Sequence, residues 1–410
     1  MSATATPPIN PKVAGECSRF IALLRRRQHV ASQDVARKTL EIMRLLVSTA
    51  TVKDVSALID SIKHAGAMLM AAQPHELVIG NMARNHQSHP PSPWRASARS
   101  PAVLQVRRVL AIVREETADD GKGGLGGGAT RRRADAGVGD AGQGSDSHDD
   151  DDADAGAGSS SVSGGTGPSL MKMLDAPDAP DYSRQSAKNL KGPIYESINE
   201  LIEELSSVSA HIAEQAIEHI HSNEVILTHG QDPTVEAFLR AAHKKRSFEV
   251  IVAETAPGAE GRLTAVALAE AGISTTLIAD SAVFAMMARV NKVIVGAHAV
   301  MANGGLIATA GCHLLALAAQ HHSVPLVACA GLYKLTPLFP SGPDQFNVLL
   351  SPQPMLQYDE GVQGVHTPNP AFDYVPPELV ALLITNIGGN HASYIYRLLA
   401  EYYHQEDHTL

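Results

Sequence analysis

The sequence predicts an α/β chain, with an N-terminal helical domain followed by a Rossmann-like domain built on a doubly wound parallel sheet. Three observations carry this expectation. Apolar residues recur at helical spacing through residues 16–82, as Leu40, Met43, Leu46 and Val47 and again as Leu58, Ile62, Ala65 and Leu69. From residue 225 onward, short β-branched runs alternate with helical patterns, as in parallel strands joined by crossover helices. Between these regions, residues 117–187 are Gly, Ala, Asp and Ser with few large apolar side chains. Such a stretch buries too little surface to offset the entropy of ordering it, so a disordered linker is expected.

Taken in order, residues 1–15 are expected to be a disordered N-terminus; their start, MSATATPPINPK, has no apolar core of the secretory type. The helical domain spans 16–116. Residues 83–105 interrupt it with four prolines and the sole tryptophan, and proline at that density cannot continue a helix. They read as an insertion, either a lineage-specific loop or retained intron sequence, before VRRVLAIVREE (106–116) resumes the helical pattern. Within the linker, GKGGLG (121–126) matches a dinucleotide fingerprint, but no strand precedes it and no helix follows, so it carries no binding function.

The Rossmann-like domain spans 188–410 and opens on a long helix. Ile194, Ile198, Leu201, Leu205, Val208, Ile212, Ala216 and Ile220 form one apolar stripe along it. VILTHG, FEVIVAET, STTLIAD, KVIVGA and PLVACA then read as strands, separated by the helices TVEAFLRAAHKK, RLTAVALAEA, AVFAMMAR and HLLALAAQ. FDYVPPELV (372–380) reads as a last strand feeding a proline-started helix, and ASYIYRLLAEYYH (392–404) as a closing amphipathic helix. Residues 295–312, VGAHAVMANGGLIATAGC, read as a loop of small residues between strand and helix, where folds of this class hold ligands.

Composition narrows the function classes. The net charge of -10 is uneven, because DSHDDDDAD (146–154) alone contributes six aspartates. No basic residues cluster as a nucleic-acid face would require, Arg25–Arg27 and Arg131–Arg133 being the nearest candidates, so no direct nucleic-acid contact is expected. Glu270, Asp280, Arg289 and His298 interrupt the long apolar stretches, so no membrane span is expected. Cys17, Cys312 and Cys329 lack metal-ligand spacing and make no disulfide framework, which suits the cytosol. Histidines 219, 221, 313, 321 and 322 diverge on their elements, so no metal and no cofactor is expected.

Several motifs together carry a resemblance: AAQPHELVIGNM, AIEHIHSNEVIL, IVAETAP, ARVNKVIVGAHAVMANGG, ALAAQHHSVPLV, FDYVPPELV and NIGGNHASYIYRLLAEYYH. In order and over most of 16–82, 106–116 and 188–410, the chain resembles the regulatory-subunit family of eukaryotic translation initiation factor 2B, its beta branch most. The resemblance implies a regulatory core of alpha, beta and delta subunits in the exchange factor that recharges initiation factor 2 with GTP. Exchange itself would be carried by gamma and epsilon partners. It also implies kinship with methylthioribose phosphate isomerases, which leaves a sugar-phosphate isomerase or sensor as the alternative function.

That kinship focuses attention on isomerase positions. Aldose–ketose isomerisation needs a general acid and a general base, plus donors that hold phosphate. Where the isomerases carry T-H-C-N, this chain has Thr228-His229-Gly230-Gln231; where they carry G-A-D, it has Gly296-Ala297-His298. Their Asn-Lys pair falls on Ala308 and Thr309, and the arginine of E-T-R-P falls on Ala256. No catalytic residue is therefore expected, although Glu254, Asp280, Asn303 and glycines 304–305 remain, either as structural groups or as a vestigial metabolite pocket. The resemblance further implies that His221 and Asn223 face neighbouring regulatory subunits, the alternative being ordinary helix caps. Glu196 and Glu200, with Glu203 and Glu204, make an acidic stripe that is either a solvated face or a docking site for the alpha subunit of initiation factor 2.

Overall fold

The computed structural model describes residues 10–25, 32–50, 55–71, 109–110, 112–114, 187–336, 338–340, 347–360 and 364–402. The insertion at 83–105, the acidic run and nearly all of the 117–187 linker lie outside them.

Three helices open the chain: α1 (Pro11–Arg25), α2 (Ser32–Thr49) and α3 (Val55–Ala71). The first starts at Pro11, so residues 11–15 of the stretch expected to be disordered are helical, while residues 1–9 lie outside the described residues. Asn10 explains the start: its Oδ1 accepts the Lys12 N–H at 3.1 Å, and proline follows as the first helical residue. Val13 and Cys17 are then buried on its inner face.

The long helix α4 (Ala187–Glu214) lies against α2. Arg44 donates to Asn199 Oδ1 at 2.9 Å, Gln33 to the Leu205 carbonyl at 2.7 Å, and the Lys191 ammonium to the Ala50 carbonyl. The whole predicted stripe from Ile194 to Ile220 is buried. At ~1.5–3 kcal/mol for each large apolar side chain, it is a main attachment of the helical layer to the sheet. The helix does not run through 220, however. It breaks at Gln215, whose amide instead donates to the Thr385 carbonyl at 2.8 Å, and a single turn, α5 (Ala216–His219), follows.

The central sheet contains β1 (Val225–His229), β2 (Glu249–Ala253), β3 (Ser274–Ile278), β4 (Lys292–Gly296), β7 (Leu326–Cys329), β9 (Leu382–Thr385) and β10 (Gly388–Asn390). Their order is β10-β9-β7-β4-β1-β2-β3, parallel except for β10. Side chains alternate between two cores. Ile226, Val250, Val252, Ile294 and Val327 face α4, α6 (Pro233–His243) and α7 (Glu260–Glu270). Leu227, Ile251, Val293, Val295 and Ala328 face α8 (Val283–Met287), α9 (Cys312–His321) and α10 (Ile395–Tyr402).

Two further expectations need correction. Residues 295–312 are not a plain loop, because β5 (Ala299–Val300) and β6 (Leu306–Thr309) form a hairpin within them. FDYV is β8 (Phe372–Val375), but it pairs antiparallel with β6 in a separate three-stranded sheet. Its prolines start only a 3-10 turn, Pro377–Leu379, and the last strands of the main sheet come after it. Pairing with β6 satisfies FDYV locally, and LLIT then fills the vacant place beside β7.

Candidate functional site

A doubly wound sheet offers its ligand crevice beyond the carboxyl ends of the strands, where the strand order reverses. Here that point lies between β1 and β4. The backbone donors around it are taken up by three carboxylates of the chain itself. Asp232 caps α6, its Oδ1 accepting the Thr234 N–H at 2.8 Å. Asp280 accepts the Thr255 and Ala256 N–H groups after β2, at 3.0 and 2.6 Å. Asp373, from β8, accepts Gly311 and His313 N–H groups at the start of α9, at 2.7 and 3.2 Å.

Lys334 completes the arrangement. It sits on the turn after β7, only 4% exposed, with its Nζ 3.0 Å from Asp232 Oδ2. Burial alone pushes this ammonium down, but the charge and hydrogen bond of Asp232, together with the neighbouring Tyr333 and Cys329, hold it above the ordinary lysine value. On the other side of Asp232 lies Gly296, the last residue of β4; a Cβ there would stand 2.3 Å from Asp232 Oδ2. The glycine is what lets the carboxylate enter.

The expected isomerase positions can now be placed. Gly230 has φ +76°, donates its N–H to Thr255 Oγ1 at 2.9 Å, and would bring a Cβ within 3.2 Å of Thr309 Oγ1. Gly230, Ala256 and Thr309 are therefore gathered at this end of the sheet. Ala308 is buried on β6 opposite Asp373. His298 is half-buried with its ring stacked on Phe372, centroids 4.5 Å apart. Asn303 holds the hairpin turn: its amide donates to Tyr374 Oη at 2.8 Å and its Oδ1 accepts the Gly305 N–H at 3.0 Å. Gly304 (φ +83°) and Gly305 are packed so closely that side chains would strike the Ala392 carbonyl and the Tyr374 hydroxyl, which favours the structural reading of this turn.

His229, at the end of β1, is 8% exposed, and its Nε2 has no hydrogen-bond partner. Desolvation pushes its pKa below the ordinary histidine value, against the pull of Asp280 and Asp373. The two thiols of this domain are no better placed for chemistry. Both are fully buried, with Cys312 pushed up to about 12 and Cys329 higher still by desolvation.

The other candidates lie elsewhere. His221 and Asn223 are exposed at the opposite, amino edge of the strands, just before β1. There Arg246 meets His221 Nδ1 at 2.7 Å, and Asn223 takes a left-handed φ of 65° while donating to the Ser247 carbonyl. Glu196 and Glu200 are exposed on α4, as is Glu203, whereas Glu204 is drawn inward by the Asn386 amide at 3.3 Å. Asp232, Lys334 and Asp373 went unread in the sequence. The Asp232-Pro233 pair is a legible helix start, but Lys334 approaches it across 102 residues with no local signal. Among the described residues, no group of three or more His, Cys, Asp or Glu is arranged to hold a metal, and no helix is long and apolar enough to cross a membrane.

Fold and site together define a Rossmann-like scaffold with a helical layer, its ligand crevice filled from within. Residues 28–392 match the model of the initiation factor 2 subunit family, and the chain belongs to that family. It is 50% identical to translation initiation factor eIF2B subunit beta of Dictyostelium discoideum, over 95% of each chain. Among solved structures it resembles the tetrameric eIF2B-beta2-delta2 complex from Chaetomium thermophilum, with TM-score 0.63, 25% identity and 95% of each chain covered. Ribose 1,5-bisphosphate isomerase of Archaeoglobus fulgidus is 31% identical over 54% of this chain and 71% of its own. The chain is thus a translation initiation factor subunit with isomerase kin.

Proposed function

We propose that the chain is a regulatory, non-catalytic subunit of the guanine-nucleotide exchange factor that recharges initiation factor 2 with GTP in the cytosol. The observation that carries this is the 50% identity to an eIF2B beta subunit along almost the whole of both chains. The crevice supports it: glycine at 230, alanine at 256 and 308, and a threonine at 309 offer no proton-transfer pair, and the buried Lys334 ammonium is already paired with Asp232. The subunit acts by holding alpha, delta, gamma and epsilon partners and by helping to receive the alpha subunit of initiation factor 2. It makes no direct contact with nucleic acid or membrane.

Within this reading His221 and Asn223 face neighbouring regulatory subunits, and Glu196 and Glu200 contribute to docking initiation factor 2, a negative stripe suiting a basic partner. Co-expression with delta, gamma and epsilon subunits tests the assignment. The full chain is expected to co-purify with them and to support nucleotide release from initiation factor 2. A chain that stays separate and converts an aldose phosphate unaided would instead be an isomerase, the reading favoured by its archaeal relative. Reversing the charge of Glu196 and Glu200 together is expected to weaken initiation factor 2 binding without loosening the complex; unchanged affinity removes them from the docking surface.

A further inference from the structure

A buried ion pair lies beyond the carboxyl ends of β1, β4 and β7. An ammonium that is 4% exposed needs an anion beside it, since an uncompensated buried charge is costly. Lys334 receives that anion from Asp232 at 3.0 Å. The two partners are unequally enclosed: the Lys334 side chain is 5% accessible and that of Asp232 16%. Solvent therefore reaches the pair from the carboxylate side. The carboxylate also bonds the Thr234 N–H and fills the space that Gly296 leaves by having no side chain.

We propose that Asp232 is an internal substitute for a small oxyanion, an autoinhibitory contact that keeps the crevice beside Lys334 closed to free phosphate-class ions. An inorganic oxyanion presents the same kind of acceptor atoms as the carboxylate, and it can approach along the path that already exposes Asp232. What excludes it is the permanent occupant. The chain thereby keeps a cation in the ligand crevice without becoming responsive to phosphate. This holds whether or not the chain works as an exchange-factor subunit, because it concerns only the chain's own crevice.

The test uses the full chain with Asp232→Ser, which keeps a capping oxygen for the Thr234 N–H but removes both the charge and the bulk of the carboxylate. Inorganic phosphate, against chloride at equal ionic strength, is expected to raise the melting temperature of D232S by several degrees. It should leave the wild-type chain and the double variant D232S/K334M unmoved. Recovery of folded D232S only in phosphate supports the proposal equally. It is overturned if D232S shows no phosphate-dependent gain, if the wild type or the double variant gains as much, or if D232S stays unfolded in phosphate. Failure of the double variant to fold alongside D232S also overturns it, because the lone ammonium would then not be the cause. Co-purification with partner subunits is a separate readout, so the two proposals fail separately.

Discussion

The crevice beyond β1 and β4 and the outer face of α8 and α9 solve opposite problems. In the crevice, the carboxylates are satisfied from inside: Asp232 by Lys334 and Thr234, Asp280 by two amides, Asp373 by two more. On the outer face, apolar groups are left without cover. Leu314 is 58% exposed, Leu317 50% and Phe284 52%, while Leu315, Ala316, Ala318 and Ala319 fill the inner side of the same helix. A helix apolar on both sides is ordinarily buried on both. The contrast teaches where the chain's unused capacity for interaction lies. Groups suited to chemistry are consumed within the fold, and what remains outward is the kind of surface that proteins meet with.

The largest test of this contrast breaks the crevice. Lys334→Ala removes the ammonium and leaves Asp232 with an unpaired, mostly enclosed carboxylate. We expect a loss of ~4 kcal/mol in unfolding free energy, read from denaturant midpoints. A loss near zero would mean that the crevice is solvated and not self-filled. Gly304→Ala comes next, at ~3 kcal/mol, because its φ of +83° disfavours any side chain and its Cβ would stand 2.3 Å from the Ala392 carbonyl. A tolerated alanine would return the Asn303–Gly305 turn to the rank of an adaptable loop.

How much of this was legible beforehand follows from the range of the forces involved. VILTH, EVIVA, KVIVG and LVAC were readable because a buried parallel strand imposes a short apolar run on its own five or so positions. STTLI, a largely exposed edge strand, was readable only from its β-branched residues. The stripe on α4 was readable for the same reason, helical spacing being local. β5, with two residues, is too short to leave a period, and FDYV reads alike whichever sheet it joins. The site was legible only as the small residues to which the resemblance pointed, Gly230, Ala256 and Ala308. The charged groups beside them were not, because Lys334 meets Asp232 across 102 residues and Asp373 meets Gly311 across 62. Long-range ion pairs and caps depend on the finished fold, and neither partner's neighbours in sequence announce them.

A smaller effect is expected from pH. His229 is held neutral by burial, so its folded pKa lies below the unfolded value of 6.5. Above that value neither state carries the proton and the group contributes nothing. As pH falls below it, the unfolded chain takes up a proton that the folded chain refuses, and stability drops at up to ~1.4 kcal/mol per pH unit until the folded pKa is reached. His229→Gln should flatten this acid limb in unfolding experiments run between the neutral and mildly acidic range. An unchanged slope would show that other groups control it and that His229 is less enclosed than its missing partner implies.

The smallest effect is expected at Leu314, and it sharpens the comparison most because its counterpart, Leu315, lies in the same helix. Leu315 and Leu314 are sequence neighbours of identical chemistry on α9, one fully buried and the other 58% exposed. Leu315→Ala removes packed atoms and leaves a cavity, for which ~2–5 kcal/mol is the usual cost. Leu314→Ala removes atoms that already touch water, and its effect on the isolated chain should stay within ~0.5 kcal/mol. Thermal unfolding of the two variants side by side gives the difference directly. Equal losses would mean that something in this chain already covers the outer face, and the contrast with the crevice would then dissolve; a large difference leaves that face as apolar surface the fold itself does not use.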